Sequence, residues 1–375
     1  MIIHVVREGD TLYKIGQLYN VDYKEIASDN VIPIDSTLVV GQTIVIITNS
    51  DSKKFKSIDV NGYAFTNIKG EILIGSLPHL TYLSIFSYSV EYDGSLIPID
   101  DDELISMARK YEVEPVMVIT NIGVEDRFNS ALAHTILNDE YIQSKLIINV
   151  LSIMQEKGYV GLDIDFEYVY PEDKDAYINF INKVNRAIKK YNYFLSVALA
   201  PKNSDEQKGL LYEAHDYKRI GEIADHVILM TYEWGYSGGP ARAISPIDLI
   251  EGVLDYATAK IPSSKILMGI PNYGYDWTLP YVKGELASSV GNYEAVDIAR
   301  TYHQNINYNY EEQAPYFNYY DSAMMKHEVW FEDARSIEAK VNLVIKYNLE
   351  GISYWTIDRF FPQNYLVLSS LFVIK

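Results

Sequence analysis

The chain has 375 residues, too many for one small domain and enough for a large one with a small companion. Its 51 acidic against 32 basic side chains give a formal net charge of −19, which argues against nucleic acid or an anionic membrane surface as the main partner. There is no cysteine, so disulfides and thiolate metal sites are excluded, and no apolar run has the length of a membrane span. The opening Met1-Ile2-Ile3-His4-Val5-Val6-Arg7 lacks a basic region followed by an apolar one, so no signal peptide is expected.

Residues 1–48 read as a separate unit. Ile3-His4-Val5-Val6 is a short strand, and Glu8-Gly9-Asp10-Thr11 is a turn ending in a helix N-cap. Leu12, Ile15, Leu18 and Tyr19 then recur at helical spacing, a second helix follows near 23–29, and Leu38–Ile46 is a turn with a closing strand. The βααβ order, with Glu8-Gly9-Asp10-Thr11-Leu12 and Val40-Gly41-Gln42-Thr43-Ile44, resembles the LysM module. That resemblance implies binding to polymers of N-acetylglucosamine such as peptidoglycan or chitin. The groove would lie between the Gly9–Leu12 and Asn30–Pro33 loops, with Gly9, Asp10, Thr11 and Asn30 as contacts. Gly9, Asp10 and Thr11 have a plainer reading as turn and cap residues. The polar stretch 49–56 has the composition of a linker.

From residue 57 onward strands and helices alternate. Apolar strands are expected near 58–64, 82–88, 115–120, 161–167, 194–200, 226–231, 266–270 and 351–355. Near-continuous apolar strands separated by amphipathic helices indicate a parallel sheet covered by helices. Eight of them fit an α/β fold, a (β/α)8 TIM barrel. The interval between the last two strands is too long for an ordinary connection, and residues 276–332 are read as a small α+β insertion walling one side of a cleft.

The fourth strand carries Gly161-Leu162-Asp163-Ile164-Asp165-Phe166-Glu167. Side chains alternate along a strand, so Asp163, Asp165 and Glu167 share one face, with neighbours roughly 6–7 Å apart. Crowded, buried acids repel, and at least one is expected to hold a proton near neutral pH. That arrangement suits acid–base chemistry, glycoside hydrolysis above all. An exposed strand edge or a cation site is the plain alternative. Active sites of such barrels gather at the C-terminal strand ends. There the sequence also places Tyr232, Glu233, Asn272, Tyr273 and Trp355. The histidines show no metal-ligand spacing, and no cofactor is called for.

These residues resemble glycoside hydrolase family eighteen. Val160-Gly161-Leu162-Asp163-Ile164-Asp165-Phe166-Glu167 matches its D-G-x-D-x-D-x-E with Val160 in place of the first acid. Met230-Thr231-Tyr232-Glu233 matches its M-x-Y-D with Glu for Asp, and Trp355 matches its floor tryptophan. The Gly-Gly expected after the third strand is replaced by Asn121-Ile122-Gly123. Within the family the chain is most similar to bacterial spore cortex-lytic N-acetylglucosaminidases. The resemblance implies a substrate-assisted, retaining reaction. Glu167 would be the general acid, Asp165 would orient the acetamido group, and Asp163 would share a proton with Asp165. Tyr232 would donate to the acetamido oxygen and Trp355 would stack under the sugar. Glu233, Asn272 and Tyr273 are further candidate substrate contacts. A chitinase, or a wall-binding protein without activity, stands as the alternative. A monomer acting on peptidoglycan, in the spore coat or cortex, is the expectation.

Overall fold

The computed structural model describes residues 1–48, 54–123, 125 and 127–375. Eight parallel strands, Lys56–Phe65, Tyr82–Ser89, Glu114–Thr120, Gly161–Asp165, Phe194–Leu199, His226–Leu229, Ile266–Pro271 and Gly351–Trp355, pair each with the next. The eighth pairs back onto the first, with Gly351 opposite Asp59, which closes the expected (β/α)8 barrel. A Cβ on Gly351 would stand 1.8 Å from the Asp59 carbonyl oxygen, so only glycine permits this closure. A last short strand, Phe372–Ile374, extends the sheet beside Lys56–Ile58.

The fourth strand stops at Asp165, short of the expected 167. Phe166 is buried and Glu167 begins the following loop, because Tyr168 takes a left-handed backbone with φ 54°. The sixth strand likewise ends at Leu229, and Glu233 beyond it has φ 65°. The sequence pattern places barrel helices near 101–111, 140–156, 173–191, 217–223, 246–260 and 333–347; Gly70–Ser76, Ser130–Asn138 and Pro362–Leu371 are additional to these. The expected linker begins in residues 49–53, which lie outside the described residues.

The insertion is a five-stranded antiparallel sheet with one helix. Its strands, in spatial order, are Ser288–Val290, Gly274–Leu279, Lys326–Trp330, Ala314–Tyr320 and Asn307–Asn309. Period-two alternation divides the sheet into two faces. Phe317, Tyr319 and Val329 pack on Ala295, Val296 and Ala299 of helix Asn292–Thr301. Trp277, Ala314 and Trp330, with Tyr275 and Tyr316 against them, pack with Tyr232 at the barrel mouth.

In the N-terminal unit Ile2–Val5 and Thr43–Ile46 pair antiparallel around helices Leu12–Tyr19 and Tyr23–Asp29. Val6, Leu12, Ile15, Ile26, Ile32, Ile44 and Ile46 fill its own small core. The unit is also docked on the rest of the chain. Val45 belongs to the barrel's apolar core and Val39 to the lobe's. Among the described residues no helix is long and apolar enough to cross a membrane.

Candidate active site

The three acids lie in graded surroundings at the mouth of the barrel. Asp163 is fully buried and satisfied: the Tyr63 hydroxyl donates to one carboxylate oxygen at 2.7 Å and the Ser196 hydroxyl to the other at 2.6 Å. Burial raises its carboxyl and these two bonds oppose the rise. Asp165 is 4 % exposed, and its Oδ1 is buried with no hydrogen-bond partner. Burial, and then the charges of Glu167 and Asp163, push Asp165 well above the usual carboxylate range. Glu167 is pushed up to about 7 by burial and by the charge of Glu233. At neutral pH the pair Asp165 and Glu167 therefore retains a proton, as the acid ladder predicts.

The backbone around Glu167 is fixed from two sides. Asn121, at the end of the third strand, accepts the Glu167 N–H at 2.9 Å and donates to the Glu167 carbonyl at 2.9 Å. The neutral ring of His215 accepts the Ala200 N–H at 2.9 Å and hydrogen-bonds the Phe166 carbonyl at 3.1 Å. Burial holds this histidine down at about 4, so Nε2 carries the proton toward Phe166. Phe166 also stacks on Tyr177 and Phe180. The side chain of Glu167 is thus presented from a rigid base. Replacing Asn121 by Ala should lower kcat by about 10²-fold with the fold retained, measured by steady-state kinetics beside circular dichroism; an unchanged kcat would mean the clamp is dispensable.

The sixth and seventh strand ends supply the neighbouring wall. Tyr232 is buried, and desolvation with the charges of Asp165 and Glu167 keeps its hydroxyl protonated, a donor at any working pH. Glu233 is exposed at the mouth but crowded by protein, which raises its carboxyl, while hydrogen bonds from Tyr273 and Tyr275 lower it. The Tyr275 bond is 3.0 Å long and Tyr273 donates to the same oxygen. Glu233 is therefore held by two tyrosines rather than by a salt bridge. Trp355 is half-buried and meets the rings of Tyr63, Phe65 and Phe86 edge-on at 5.4, 5.9 and 4.9 Å, an aromatic floor built from the first, second and eighth strands. Tyr63 thus touches both the floor and Asp163.

Two candidate contacts occupy other places. Asn272 is buried with its amide used: Nδ2 donates to the carbonyls of Thr356 at 3.1 Å and Arg359 at 2.6 Å, and Oδ1 accepts from Asn364 at 2.8 Å. It fixes the loop after Trp355 and leaves no group for a sugar. Asn30 is likewise fully buried, bonded to Ile26, to both backbone groups of Val45 and to Gln363. It belongs to a seam with the barrel, not to a glycan groove. Gly9 and Thr11 are exposed and Asp10 is partly exposed. Asp10 accepts from the Arg7 N–H at 2.7 Å and meets His4 at 3.1 Å, while Thr11 caps the first helix by accepting from the Lys14 N–H at 3.2 Å. Gly9 has φ 80°, which the turn requires.

Asn121, Tyr63, Ser196, His215 and Tyr275 complete the site beyond the residues the sequence singles out. Two of them carried a signal: Tyr275 by its place just past the seventh strand, and Asn121 by standing where the Gly-Gly is expected after the third. Among the described residues no cluster of three or more metal-ligating side chains occurs.

A barrel with graded acids and an aromatic floor at its mouth defines a glycoside hydrolase. The profile of "Glycosyl hydrolases family 18" matches residues 60–359 and that of the "LysM domain" residues 4–46, and the chain belongs to glycosyl hydrolase family 18. It is 37% identical to the "Cortical fragment-lytic enzyme" of Bacillus subtilis, over 100% of this chain and 99% of that protein. It is 40% identical to the protein of the same name from Bacillus anthracis, over 99% and 98%. The crystal structure of the Bacillus cereus spore cortex-lytic enzyme SleL superposes with a TM-score of 0.94 at 36% identity, covering 100% of this chain and 99% of that one. The Bacillus subtilis alignment runs to 428 positions against 375 residues here, so that relative holds residues without counterpart in this chain.

Proposed function

We propose that the chain is a retaining β-N-acetylglucosaminidase that cleaves peptidoglycan, with fragments of the spore cortex as substrate. The observation that carries this reading is the gradient along the acid ladder: Asp163 satisfied, Asp165 buried with a bare oxygen, Glu167 raised to about 7. A buried acceptor without a partner is costly unless a ligand supplies the donor. An acetamido N–H on the sugar is such a donor. With Asp165 holding the N–H and Tyr232 donating to the acetamido oxygen, that oxygen is aimed at the anomeric carbon. It forms the new C–O bond as the glycosidic bond breaks, and Glu167 passes its proton to the departing oxygen. The cyclic oxazolinium is then opened by water, whose proton returns to Glu167. No enzyme nucleophile takes part, the known departure from the two-carboxylate scheme. Trp355 would lie beneath the ring being distorted.

The chain is read as a LysM module over residues 1–48, a linker over 49–56 and a hydrolase barrel over 57–375 carrying the lobe at 276–332. It works as a monomer. Gly9, Asp10 and Thr11 line the module's glycan contact. The spore coat or cortex is taken as the place of action, supported by the names of the relatives. Product analysis on purified cortex fragments and on chitin oligomers tests the reading. Cortex fragments should yield new reducing N-acetylglucosamine ends. Cleavage confined to chitin would overturn the substrate, and cleavage of neither would overturn the enzyme.

A further inference from the structure

The N-terminal unit meets two different bodies at once. On the barrel side, the Gln363 amide donates to the Thr43 carbonyl at 2.8 Å and to Asn30 Oδ1 at 3.1 Å, and the Thr43 hydroxyl donates to Gln363 Oε1 at 2.9 Å. Arg335 donates to the Gly41 carbonyl at 3.1 Å. Val45, fully buried, joins the barrel core. On the lobe side, the Ile306 N–H donates to the Val40 carbonyl at 2.9 Å, Arg300 Nε to the Thr37 carbonyl at 2.8 Å, and the Tyr293 hydroxyl to the Asn30 carbonyl. Val39 enters the lobe's own core beside Ile306 and Phe317. A Cβ on Gly41 would stand 1.9 Å from the Ile306 carbonyl oxygen, so the two backbones are in direct contact there.

The seam leads to the catalytic mouth in two short steps. Gln363 and Asn364 are adjacent on helix Pro362–Leu371. Gln363 grips the N-terminal unit, and Asn364 grips Asn272 at 2.8 Å. Asn272 in turn holds the Thr356 and Arg359 carbonyls, and its own N–H donates to the Trp355 carbonyl at 3.0 Å. The lobe braced on the other side supplies Tyr275 to Glu233.

We propose that the LysM unit is a brace of the catalytic cleft as well as a glycan binder: wedged between lobe and barrel, it sets the position of the lobe wall and of the Trp355 loop, with Gly41, Gln363 and Arg300 as positioning residues. This rests on the reading of the site given above. A merely tethered module would leave turnover of a soluble substrate untouched when its contacts are loosened. A brace would not.

The test compares full-length wild type with Gly41→Ala and with the double variant Gln363→Ala/Arg300→Ala, which adds no bulk and spares the module's backbone. Hydrogen exchange is followed at Ile306, whose amide reports the seam, and in strands Ala314–Tyr320 and Lys326–Trp330 of the lobe. Kinetics are measured on soluble cortex fragments, the substrate of the proposed function, which need no wall anchoring. The expected result is exchange faster by about tenfold or more in the lobe strands, with kcat/KM lower by about tenfold and the loss mainly in kcat. Faster exchange at Ile306 with lobe exchange and kcat/KM as in wild type would overturn the brace. So would retention of both values in the double variant. If wild type does not cut these fragments, the reading of the site fails, and the exchange comparison still decides the brace.

Discussion

Replacing Glu167 by Gln is expected to cost activity by about 10²–10⁴-fold or more and, at the same time, to raise the melting temperature at neutral pH. The loss follows from removing the carboxyl that is proposed to hand its proton to the glycosidic oxygen. The gain follows from linkage. The Glu167 carboxyl rises from an ordinary 4.5 to about 7 on folding, so the folded chain binds this proton more tightly than the unfolded chain does. Below pH 4.5 both states are protonated and the group costs nothing. Between 4.5 and 7 the unfolded state gives up its proton first, and stability falls as pH rises. Above 7 the whole penalty is present. Gln carries no charge and escapes it. Melting curves of both proteins from pH 4 to pH 8 should therefore coincide at the acid end and separate toward the alkaline end, with the variant higher. Coincidence across the range would mean that Glu167 is comfortably ionised in the fold, which is incompatible with the proposed role as acid. Stability sacrificed for a charged cluster is what a site built for catalysis requires.

The second large effect concerns pH and rate. A general acid must be protonated in the free enzyme, so kcat/KM should fall on the alkaline side with a limb near pH 7, the value to which Glu167 is raised. Burial is the first cause of that rise and the charge of Glu233 the second. Glu233→Gln removes the second alone. The limb should move to lower pH while staying above the ordinary 4.5, because burial persists. KM should rise as well, since Tyr273 and Tyr275 lose the carboxylate that orders them. A limb that stays in place while KM rises would assign Glu233 to substrate binding and leave burial as the sole source of the Glu167 shift. Salt should blunt the difference between the two proteins, because Glu233 lies in the open mouth.

The parts of this architecture that repeat were legible in the sequence. Period two put Asp163 and Asp165 on one face, with Glu167 just beyond the strand's end, and apolar runs at regular spacing gave the barrel, because burial on both faces of a parallel strand favours such runs. The turn chemistry of Glu8-Gly9-Asp10-Thr11 likewise marked the start of a helix. What escaped is what depends on single polar residues far apart in the chain. Tyr63 reaches Asp163 across the barrel, and Asn121 reaches Glu167 from the neighbouring strand. Tyr63 has no pattern around it, and the place of Asn121 in the motif after the third strand does not show its role, since a Tyr or Asn at a strand end looks the same whether it clamps a loop or faces water. Asn272 and Asn30 show the converse. Their positions invited a binding role, yet both are buried amides whose donors and acceptors are consumed by backbone groups and by the side-chain amides of Asn364 and Gln363, as buried polar groups must be. The early end of the fourth strand has the same origin: a left-handed Tyr168 is decided by tertiary packing around Phe166, not by local preference.

The contact of Gly41 with Ile306 bears on how such chains can be remodelled. Glycan-binding repeats are often thought of as cassettes, gained or lost at linkers without consequence for the enzyme they accompany. Here the repeat shares backbone hydrogen bonds and apolar residues with both halves of its host, so a foreign cassette spliced in at residue 48 would arrive without the loop that fits. Gain or loss of further repeats is free only where the existing one keeps its Thr37–Thr43 edge, on the side that presents Gly9 and Thr11 to solvent. A designer wishing to retarget the hydrolase should therefore graft new sugar contacts onto that open side and leave the inner edge as it stands.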